Sequence, residues 1–520
     1  RDRELMVTLL KSIGQTQRVN RGVFFDWPKD QIPEGGLSDG QNVEPLGFSP
    51  EFGSIGKVPG YVKYSSTAVP GTGPVMLLAE FVTSAGTRFQ MICTTTRLSE
   101  YNIGTNVFDD LTAGANLLTG TAANPIFWGA LNDLFILTNG VNNVKKSSGT
   151  TWADLGGTPP KFLGLDIYEG HVLGWNVNPG TGPEYRVQWS GLNLPETWTV
   201  VAGEEQGSLD LRDHNLLAIL AGGQLGRQYL LYKEQLGGVY ALTYVGLPLV
   251  MVQELVIPKL GVFSPKGVAA HGGVHYVMAS DEKLYAVTQG GPEPIAHGLW
   301  KRLFSRLNWN ARRAAWVAVN PLRSQVMFVI PEGASTVANR AYLFNYQTGA
   351  CGEREFPFMT AALVRDPETT TINDLAGTID ALTGSIDDLS GIGKDTFFMG
   401  GEGSSAYVYR TGGESADGVL IDAWTTGRWL GSGDGRMLRV RGLEVDGVSS
   451  ERISVEIGVA DNLSGTMVFT PTSAAGAAAG NRVDANLSGR YIAPRFRSQG
   501  ATDAWEVTGY RPDVFPVGRR

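Results

Sequence analysis

A short hydrophobic phrase recurs along the chain: a polar or glycine lead-in, three to five apolar residues, and then a turn. It reads TRFQMICT at Thr87, NDLFILTNG at Asn132, GHVLGWN at Gly170, GRQYLLYK at Gly226, GGVHYVMASD at Gly272, SQVMFVIPEG at Ser324 and KDTFFMGG at Lys394. Six of the phrases are separated by roughly 40 to 55 residues, a period typical of one four-stranded propeller blade. The pattern predicts an all-β protein with a β-propeller-like array of about six to seven small antiparallel sheets.

The two ends of the chain have different patterns. Residues 1–70 carry a high density of proline and glycine after Phe24, Phe25 and Trp27, which predicts an extended N-terminal arm. Near the other end, Arg452 to Val459 alternates apolar and polar residues, as a half-buried antiparallel strand does. We therefore predict three domains: the arm at 1–70, the propeller-like domain at 71–415 and a C-terminal β-sandwich domain at 416–520.

Helical spacing is scarce. Outside the first dozen residues, Trp300 to Leu307 is the one stretch with the periodicity of a helix. We predict a short helix there and β-structure in most of the remaining chain.

An insertion at 366–393 interrupts the array. Its residues 371–391 read TINDLAG, TIDALTG and SIDDLSG, with apolar residues spaced as in a coiled-coil seam: Ile372, Leu375, Ile379, Leu382, Ile386 and Leu389. Gly377 and Gly384 lie within the run and weaken a helix by about 1 kcal/mol each. Two interpretations stay open, an exposed loop with short helical turns or a partner- or channel-facing segment that orders against a neighbouring subunit.

Composition narrows the classes of function. The 43 basic and 51 acidic residues give a net charge of -8, which provides no general attraction to nucleic acid or anionic membranes. The chain has no run of 18 apolar residues, so no membrane-spanning segment is predicted. Cys93 and Cys351 are far apart and lie in or beside predicted strands, so we expect two buried free thiols and no disulfide framework or zinc site.

No catalytic motif is as strong as the recurring phrase. Ser38 has the spacing of a nucleophile elbow, but glycine and proline surround it where a strand and a helix are needed. His271 and His275 are interpreted as flanking one extended strand from Gly273, which would place them about 13 Å apart. We predict no catalytic residue, no cofactor-binding residue, no metal site and no enzymatic activity.

Other charged residues have ordinary interpretations. Arg186, Glu204, Glu205 and Asp210 could line a cleft, but nothing distinguishes them from solvated surface charges. The C-terminal region is rich in arginine, either as a strand face with a solvated tail or as a contact to an acidic neighbouring subunit. The arginines are Arg490, Arg495, Arg497, Arg511, Arg519 and Arg520.

Several phrases, in order, resemble the tail nozzle proteins of short-tailed bacteriophages, which are tail tubular protein B-like, and related phage tail structural proteins. They are IPEGGLSDGQNVEPLGFSPEFGSIGKVPGY at Ile32, YRVQWSGLNLPETW at Tyr185, GVFSPKGVAAHGGVHYVMASDEKLYAVTQGGPEPI at Gly261, IDAWTTGRWL at Ile421, GRYIAPRFR at Gly489 and AWEVTGYRPDVFPVGRR at Ala504. The resemblance extends over most of the chain.

The resemblance implies a structural virion protein located in the phage tail and assembled in the host cytoplasm. It implies a homo-oligomer, a hexameric ring below the head-to-tail connector, that forms part of the channel for genome retention and DNA ejection. Its implied partners are head-to-tail adaptor or connector proteins, tail fibre, spike or needle proteins, and passing phage DNA bound without sequence specificity. The alternative is a tail-associated propeller enzyme or receptor-binding protein that acts on host surface glycans.

Overall fold

The computed structural model describes residues 15–47, 49, 51, 53–112, 117–212, 216–366, 394–403, 406–432, 435–449, 453–475, 481–498, 500 and 503–517. Six predicted partner- or channel-facing residues lie outside these ranges: Ile372, Leu375, Ile379, Leu382, Ile386 and Leu389. Their role stays a prediction.

The strands are numbered here in chain order. The N-terminal arm contains β1 (Gln17–Arg18), β2 (Leu37–Gln41), β3 (Val43–Leu46), β4 (Ser54–Lys57) and β5 (Tyr61–Lys63). There follow β6 (Val75–Val82), β7 (Arg88–Thr94), β8 (Leu98–Asn102), β9 (Val107–Asp110), β10 (Phe127–Leu131), β11 (Leu134–Thr138), β12 (Lys145–Ser147), β13 (Ala153–Asp154), β14 (Phe162–Tyr168), β15 (His171–Val177), β16 (Arg186–Trp189), β17 (Gly207–Asp210), β18 (Ile219–Leu225), β19 (Gln228–Lys233), β20 (Val239–Gly246) and β21 (Val250–Ile257).

The next strands are β22 (Val268–His271), β23 (Val274–Met278), β24 (Leu284–Thr288), β25 (Gly291–Ile295), β26 (Trp316–Asn320), β27 (Gln325–Ile330), β28 (Arg340–Asn345) and β29 (Cys351–Glu355). Between β25 and β26 lie helix α1 (Trp300–Arg306), which confirms the predicted helix, and a 3-10 turn (Trp309–Ala314). A second 3-10 turn, Pro321–Arg323, separates β26 from β27.

The last strands are β30 (Phe358–Asp366), β31 (Lys394–Gly401), β32 (Val408–Thr411), β33 (Ser415–Ala416), β34 (Val419–Leu420), β35 (Trp424–Gly427), β36 (Leu430–Gly431), β37 (Met437–Ser449), β38 (Ile453–Ala460), β39 (Val468–Ala475), β40 (Arg482–Gly489), β41 (Tyr491–Arg497) and β42 (Trp505–Val517).

The chain forms two compact units. Unit 1 comprises Arg1–Val62, Gly267–Pro357 and Gly412–Arg520, and unit 2 comprises Lys63–Lys266 and Phe358–Thr411. The three predicted domain ranges stay a prediction.

Unit 2 is built from small antiparallel sheets. Four of them have four strands in sequence order, β6 to β9, β10 to β13, β14 to β17 and β18 to β21, and β30 to β32 form another. First strands of successive sheets pack on each other, β10 on β14 and β14 on β18, and β30 of the last sheet packs on β6 of the first. Up-and-down sheets stacked through their first strands are the arrangement of propeller blades.

Unit 1 contains two more sheets of the same kind and a sandwich. The sheets are β22 to β25 and β26 to β29, whose first strands also pack together. Counted over the described residues, seven small sheets therefore follow one another along the chain. The predicted fold class is confirmed: all-β, with a propeller-like series of antiparallel sheets and a C-terminal β-sandwich.

Each recurring phrase of the sequence forms the second strand of one of these sheets, namely β7, β11, β15, β19, β23, β27 and β31. A second strand has a hydrogen-bonded neighbour on both sides and sheets packed on both faces. It is therefore apolar along most of its length, as in β15, where all seven residues are buried. The phrase is thus the signature of the strand that each sheet buries most fully.

The sandwich of unit 1 has two sheets that pack face to face. One contains β4, β42, β37 and β40, and the other contains β2, β35, β41, β38 and β39. The rings of Phe496 on β41 and Tyr510 on β42 lie 5.9 Å apart between them, and both side chains are buried. Because β2 and β4 belong to the arm, the sandwich includes strands from both ends of the chain.

The arm also joins the sandwich to a blade-like sheet of unit 1. Strand β3 pairs with β29 through Val43 and Glu353, and with β4 along its length. Strand β4 in turn pairs with β42. One continuous ladder therefore runs from β26 through β29, β3, β4 and β42 to β37 and β40.

Candidate interaction surface

Two connections meet at one end of two neighbouring sheets in unit 2. In an up-and-down sheet, the turn after the first strand and the connection after the third strand lie at the same end. The loop 191–206 between β16 and β17 and the tip 246–249 between β20 and β21 both lie at this end. The hydroxyl of Tyr244, at the base of the tip, donates to Glu205 Oε2 at 3.2 Å, so the two segments are in contact.

The loop 191–206 is held in one conformation by its own buried groups. The Trp198 ring is buried, and its Nε1 donates to the carbonyl oxygen of Pro195 at 2.8 Å. Glu196 accepts from Lys146 Nζ at 2.5 Å and from the backbone N–H of Gly156 at 2.8 Å. At Gly157, where φ is +71°, an added Cβ would lie 1.8 Å from the Glu196 carbonyl oxygen. Only glycine permits this close approach of the loop.

Despite this anchoring, the outward side of the loop and of the tip is apolar. Six large side chains are 47% to 67% exposed: Leu194, Val200, Val201, Val245, Leu247 and Leu249. Exposed apolar side chains on two adjacent segments are typical of interaction sites. We call these residues, with Glu204, the apolar end of unit 2.

Carboxylates border the apolar end. Glu204 is exposed and accepts from its neighbour Gln206 at 2.5 Å, and Glu205 accepts from Tyr244. Among the described residues, neither glutamate has a lysine or arginine within 4 Å. The loop 191–206 itself contains three glutamates and no basic residue, so its field is negative.

His171 lies beneath this border. Its ring is completely buried, with Nδ1 2.7 Å from the Ser190 carbonyl oxygen and Nε2 3.7 Å from Glu205 Oε2. The hydrogen bond to Ser190 and the packing on Tyr244, with centroids 5.6 Å apart, hold the ring in place. Since the imidazole has no path to solvent, this group supports the loop.

The structure brings the predicted cleft residues into one sheet but not into a catalytic arrangement. Arg186 donates to both oxygens of Asp210, at 2.6 and 3.2 Å. This pairing is the main reason that the pKa of Asp210 is held below its usual value. Glu204 and Glu205 lie on the preceding loop and do not share this contact. The interpretation of Arg186 and Asp210 as ordinary charges agrees with their ion pair.

Ser38 is buried within β2, where its hydroxyl donates to the Gly427 carbonyl oxygen at 2.7 Å. It therefore joins β2 to β35 and is not presented on a strained turn.

The predicted separation of His271 and His275 along one strand is wrong. Gly272 and Gly273, both with positive φ, turn the chain, so His271 ends β22 and His275 lies in β23. His271 is paired with Val274, and Ala270 with His275, which places the two rings on opposite faces of the sheet. The two-glycine hairpin was readable from the sequence as a turn signal.

The two thiols are buried, as expected, and burial raises the pKa of each, that of Cys351 to about 12. Near Cys93 lies Lys266, whose Nζ donates to the Met76 carbonyl oxygen at 3.1 Å. Burial lowers the pKa of this amine to about 8. The sequence contained no signal for this site, because it depends on packing between residues as far as 190 positions apart.

Unit 1 contains a buried ionic network around α1. Arg302 donates to both oxygens of the buried Glu353, at 2.8 and 3.0 Å, and its guanidinium lies 4.0 Å from the centre of the Phe25 ring. Asp26 accepts from the first backbone N–H groups of α1, at 2.7 and 2.9 Å. The network joins the arm, the helix and β29. Its charged groups are paired with one another or with backbone N–H groups, so we interpret the network as a structural contact.

The arginine-rich C-terminal region is neutralised by neighbouring carboxylates. Arg497 donates to both oxygens of Asp422, at 2.9 and 3.0 Å, and Arg511 pairs with Glu444. Arg495 stacks 3.5 Å from the centre of the Phe469 ring. Arg495, Arg497 and Arg511 therefore make contacts on the faces of their strands, and the contact to an acidic neighbouring subunit stays a prediction. Arg519 and Arg520 lie outside the described residues.

In the described part of the chain, no helix is long and apolar enough to cross a membrane. No group of three or more His, Cys, Asp or Glu side chains there could hold a metal ion.

Comparison with known proteins identifies no family. No family model and no curated protein matches the chain. Among solved structures, the computationally designed Ika8 protein is similar over 72% of this chain and 98% of its own, with 11% identity and a TM-score of 0.35. YCF48 bound to D1 peptide is similar over 67% and 95%, with 8% identity and a TM-score of 0.36. The Swd1 β-propeller domain of Myceliophteria thermophila is similar over 67% and 99%, with 8% identity and a TM-score of 0.36.

Proposed function

We propose that the protein is a structural component of a bacteriophage tail, a nozzle or tail tube ring below the head-to-tail connector. In this role it forms part of the channel that retains the genome and releases it during ejection. The observation that carries the proposal is the ladder of unit 1, in which the arm joins a blade-like sheet to the sandwich by backbone hydrogen bonds. The ordered resemblance of the sequence phrases specifies the phage tail.

A ring around pressurised DNA needs stiffness more than it needs chemistry. The ladder joins the arm to β29 through one residue pair and to β42 through two. The Arg302–Glu353 ion pair adds a further connection where arm, helix and sheet meet. Several described arginines are paired with carboxylates, as Arg186 is with Asp210. Such neutralised walls, with a net charge of -8 for the chain, favour low affinity for passing phosphates.

The test is to locate the protein in a particle. Purified protein should form closed rings by sedimentation and electron microscopy, and antibody labelling or imaging of virions should place it at the tail. A protein that stays monomeric and has no position in the particle would contradict the proposal.

A separate assay distinguishes the enzymatic alternative. Incubation with host surface polysaccharide should release no reducing ends. Release that is abolished by Glu205→Gln would instead support a glycan-degrading enzyme, and glycan affinity without release would support a receptor-binding protein.

A further inference from the structure

The apolar end of unit 2 requires a partner with particular properties. Its centre, formed by Leu194, Val200 and Val201 with the tip residues, would exclude water only against an apolar side chain. Its border carries Glu204 and Glu205, and in the part of the chain that the structure describes neither has a lysine or arginine within 4 Å. A fitting partner therefore presents an apolar group flanked by lysine or arginine.

This chain itself presents such a partner. The segment 300–314, which contains α1 and the 3-10 turn, has five lysine and arginine residues and no acidic residue. Arg302 and Arg306 are occupied by Glu353 and Glu332. On the turn, the Trp309 ring is 39% exposed, and Arg312 beside it is exposed, with its Nη1 3.1 Å from the Trp309 carbonyl oxygen.

We propose that the apolar end of unit 2 binds the 3-10 turn Trp309–Ala314 of a second copy of this chain. Trp309 packs on Val200, Val201 and the neighbouring tip, and Arg312 pairs with Glu204. Tryptophan and arginine are the residues on which protein interfaces most often depend. Both surfaces are held rigid, the loop by Trp198 and the turn by its Asn308 cap, so little conformational entropy is lost on contact.

A contact between two different surfaces of identical chains is heterologous. Repetition of such a contact produces a closed ring or an open filament, according to the rotation between copies. The inference rests on the proposed function, because the contact it names is the one between neighbouring subunits of the proposed ring.

The experiment is a charge exchange in the full-length chain, measured by sedimentation velocity over a range of concentrations. Glu204→Arg and Arg312→Glu should each weaken self-association by at least about tenfold, because each places like charges in contact. The double variant should recover association to within about threefold of the unmodified chain, and a mixture of the two single variants should also associate. Val200→Asp should also weaken association, and combining it with Arg312→Glu should not restore it.

Glu254→Arg and Lys161→Glu are the matched controls, since both side chains are exposed and lie outside the proposed contact. They should associate like the unmodified chain, and all variants should unfold at the same temperature. Unchanged association of Glu204→Arg and Arg312→Glu, failure of the double variant to recover, or a chain that stays monomeric at about 100 µM would overturn the inference.

The outcomes separate this inference from the proposed function. Rings in the virion tail that tolerate both single substitutions would leave the function intact and remove the contact. If the single variants lose association and the double variant recovers it, but the protein has no position in the particle, the contact would stand and the proposed function would be contradicted.

Discussion

Nδ1 of His171 lies 2.7 Å from the carbonyl oxygen of Ser190. A carbonyl oxygen only accepts hydrogen bonds, so Nδ1 must carry the proton, and the neutral ring has its lone pair on Nε2. We predict that His171 is the Nδ1-protonated tautomer. With ¹⁵N-labelled histidine, the five rings of the chain can be assigned by substitution, and two-bond correlation spectra report the tautomer. The exposed His297 is the control. A proton on Nε2 of neutral His171 would contradict the hydrogen bond.

Lys266 should make stability depend on alkaline pH. Burial lowers its pKa to about 8 in the folded chain, below the ordinary value of 10.5. Between these values the unfolded chain binds more protons, so the free energy of unfolding rises with pH across this window, and the cost of the buried charge is fully present below pH 8. We expect a gain of about 1–2 kcal/mol between pH 7.5 and 9.5 from this group.

Lys266→Met should remove that gain, which urea unfolding at the two pH values measures. Lys161→Met, at an exposed position, should retain the pH dependence of the unmodified chain. If Lys266→Met gained as much free energy of unfolding between the two pH values as the unmodified chain, the Lys266 amine would not be buried in the folded state.

The contribution of the loop 191–206 to the free energy of unfolding should depend on the buried Trp198 and not on the exposed residues of the loop. Trp198→Ala should lower the free energy of unfolding by about 3–5 kcal/mol, because a large buried side chain leaves a cavity. Val200→Ser should change it by no more than about 0.5 kcal/mol, since the side chain is mostly exposed. Thermal unfolding of both variants tests the pair. Equal losses would mean that Val200 is packed within its own chain.

The junction between β29 and the arm should not tolerate a side chain at Gly352. An added Cβ there would lie 2.4 Å from the backbone oxygen of Val43, and backbone cannot move aside as a side chain can. We expect Gly352→Ala to cost about 1–3 kcal/mol and to increase hydrogen exchange in β3. Gly412→Ala, whose Cβ would have no neighbour closer than 3.9 Å, is the control. A variant as stable as the control would contradict the close pairing of β3 with β29.

The insertion is tested by deletion. Removal of 371–391 should leave the remaining chain folded, because the segment reads as a loop or a partner-binding element, while assembly or genome retention should be impaired. Circular dichroism and particle assembly measure the two effects. A deletion that unfolds the chain would mean that these residues belong to the core.

The local pattern of apolar and polar residues was enough to predict much of the fold. The seven phrases were recognisable because the second strand of a small sheet is buried on both faces, and burial demands apolar residues regardless of what surrounds it. Helix α1 was recognisable for a related reason, since one face of Trp300–Arg306 buries Leu303 and Phe304. The histidine pair shows the limit of such reasoning, because two glycines changed which strand each ring occupies.

The sequence by itself determined an all-β chain of small repeated sheets between an arm and a sandwich, because those features follow from periodicity and turn residues. Only the tertiary structure decided that arm strands complete the sandwich, that Arg302 pairs with Glu353, and that a rigid loop presents Val200 and Val201 beside Glu204. The first two relationships join residues far apart in sequence, and contacts across such distances depend on the packing of the whole fold rather than on any local preference. The loop 191–206 and the tip 246–249 are also separated in sequence, so no sequence motif indicated the apolar end of unit 2.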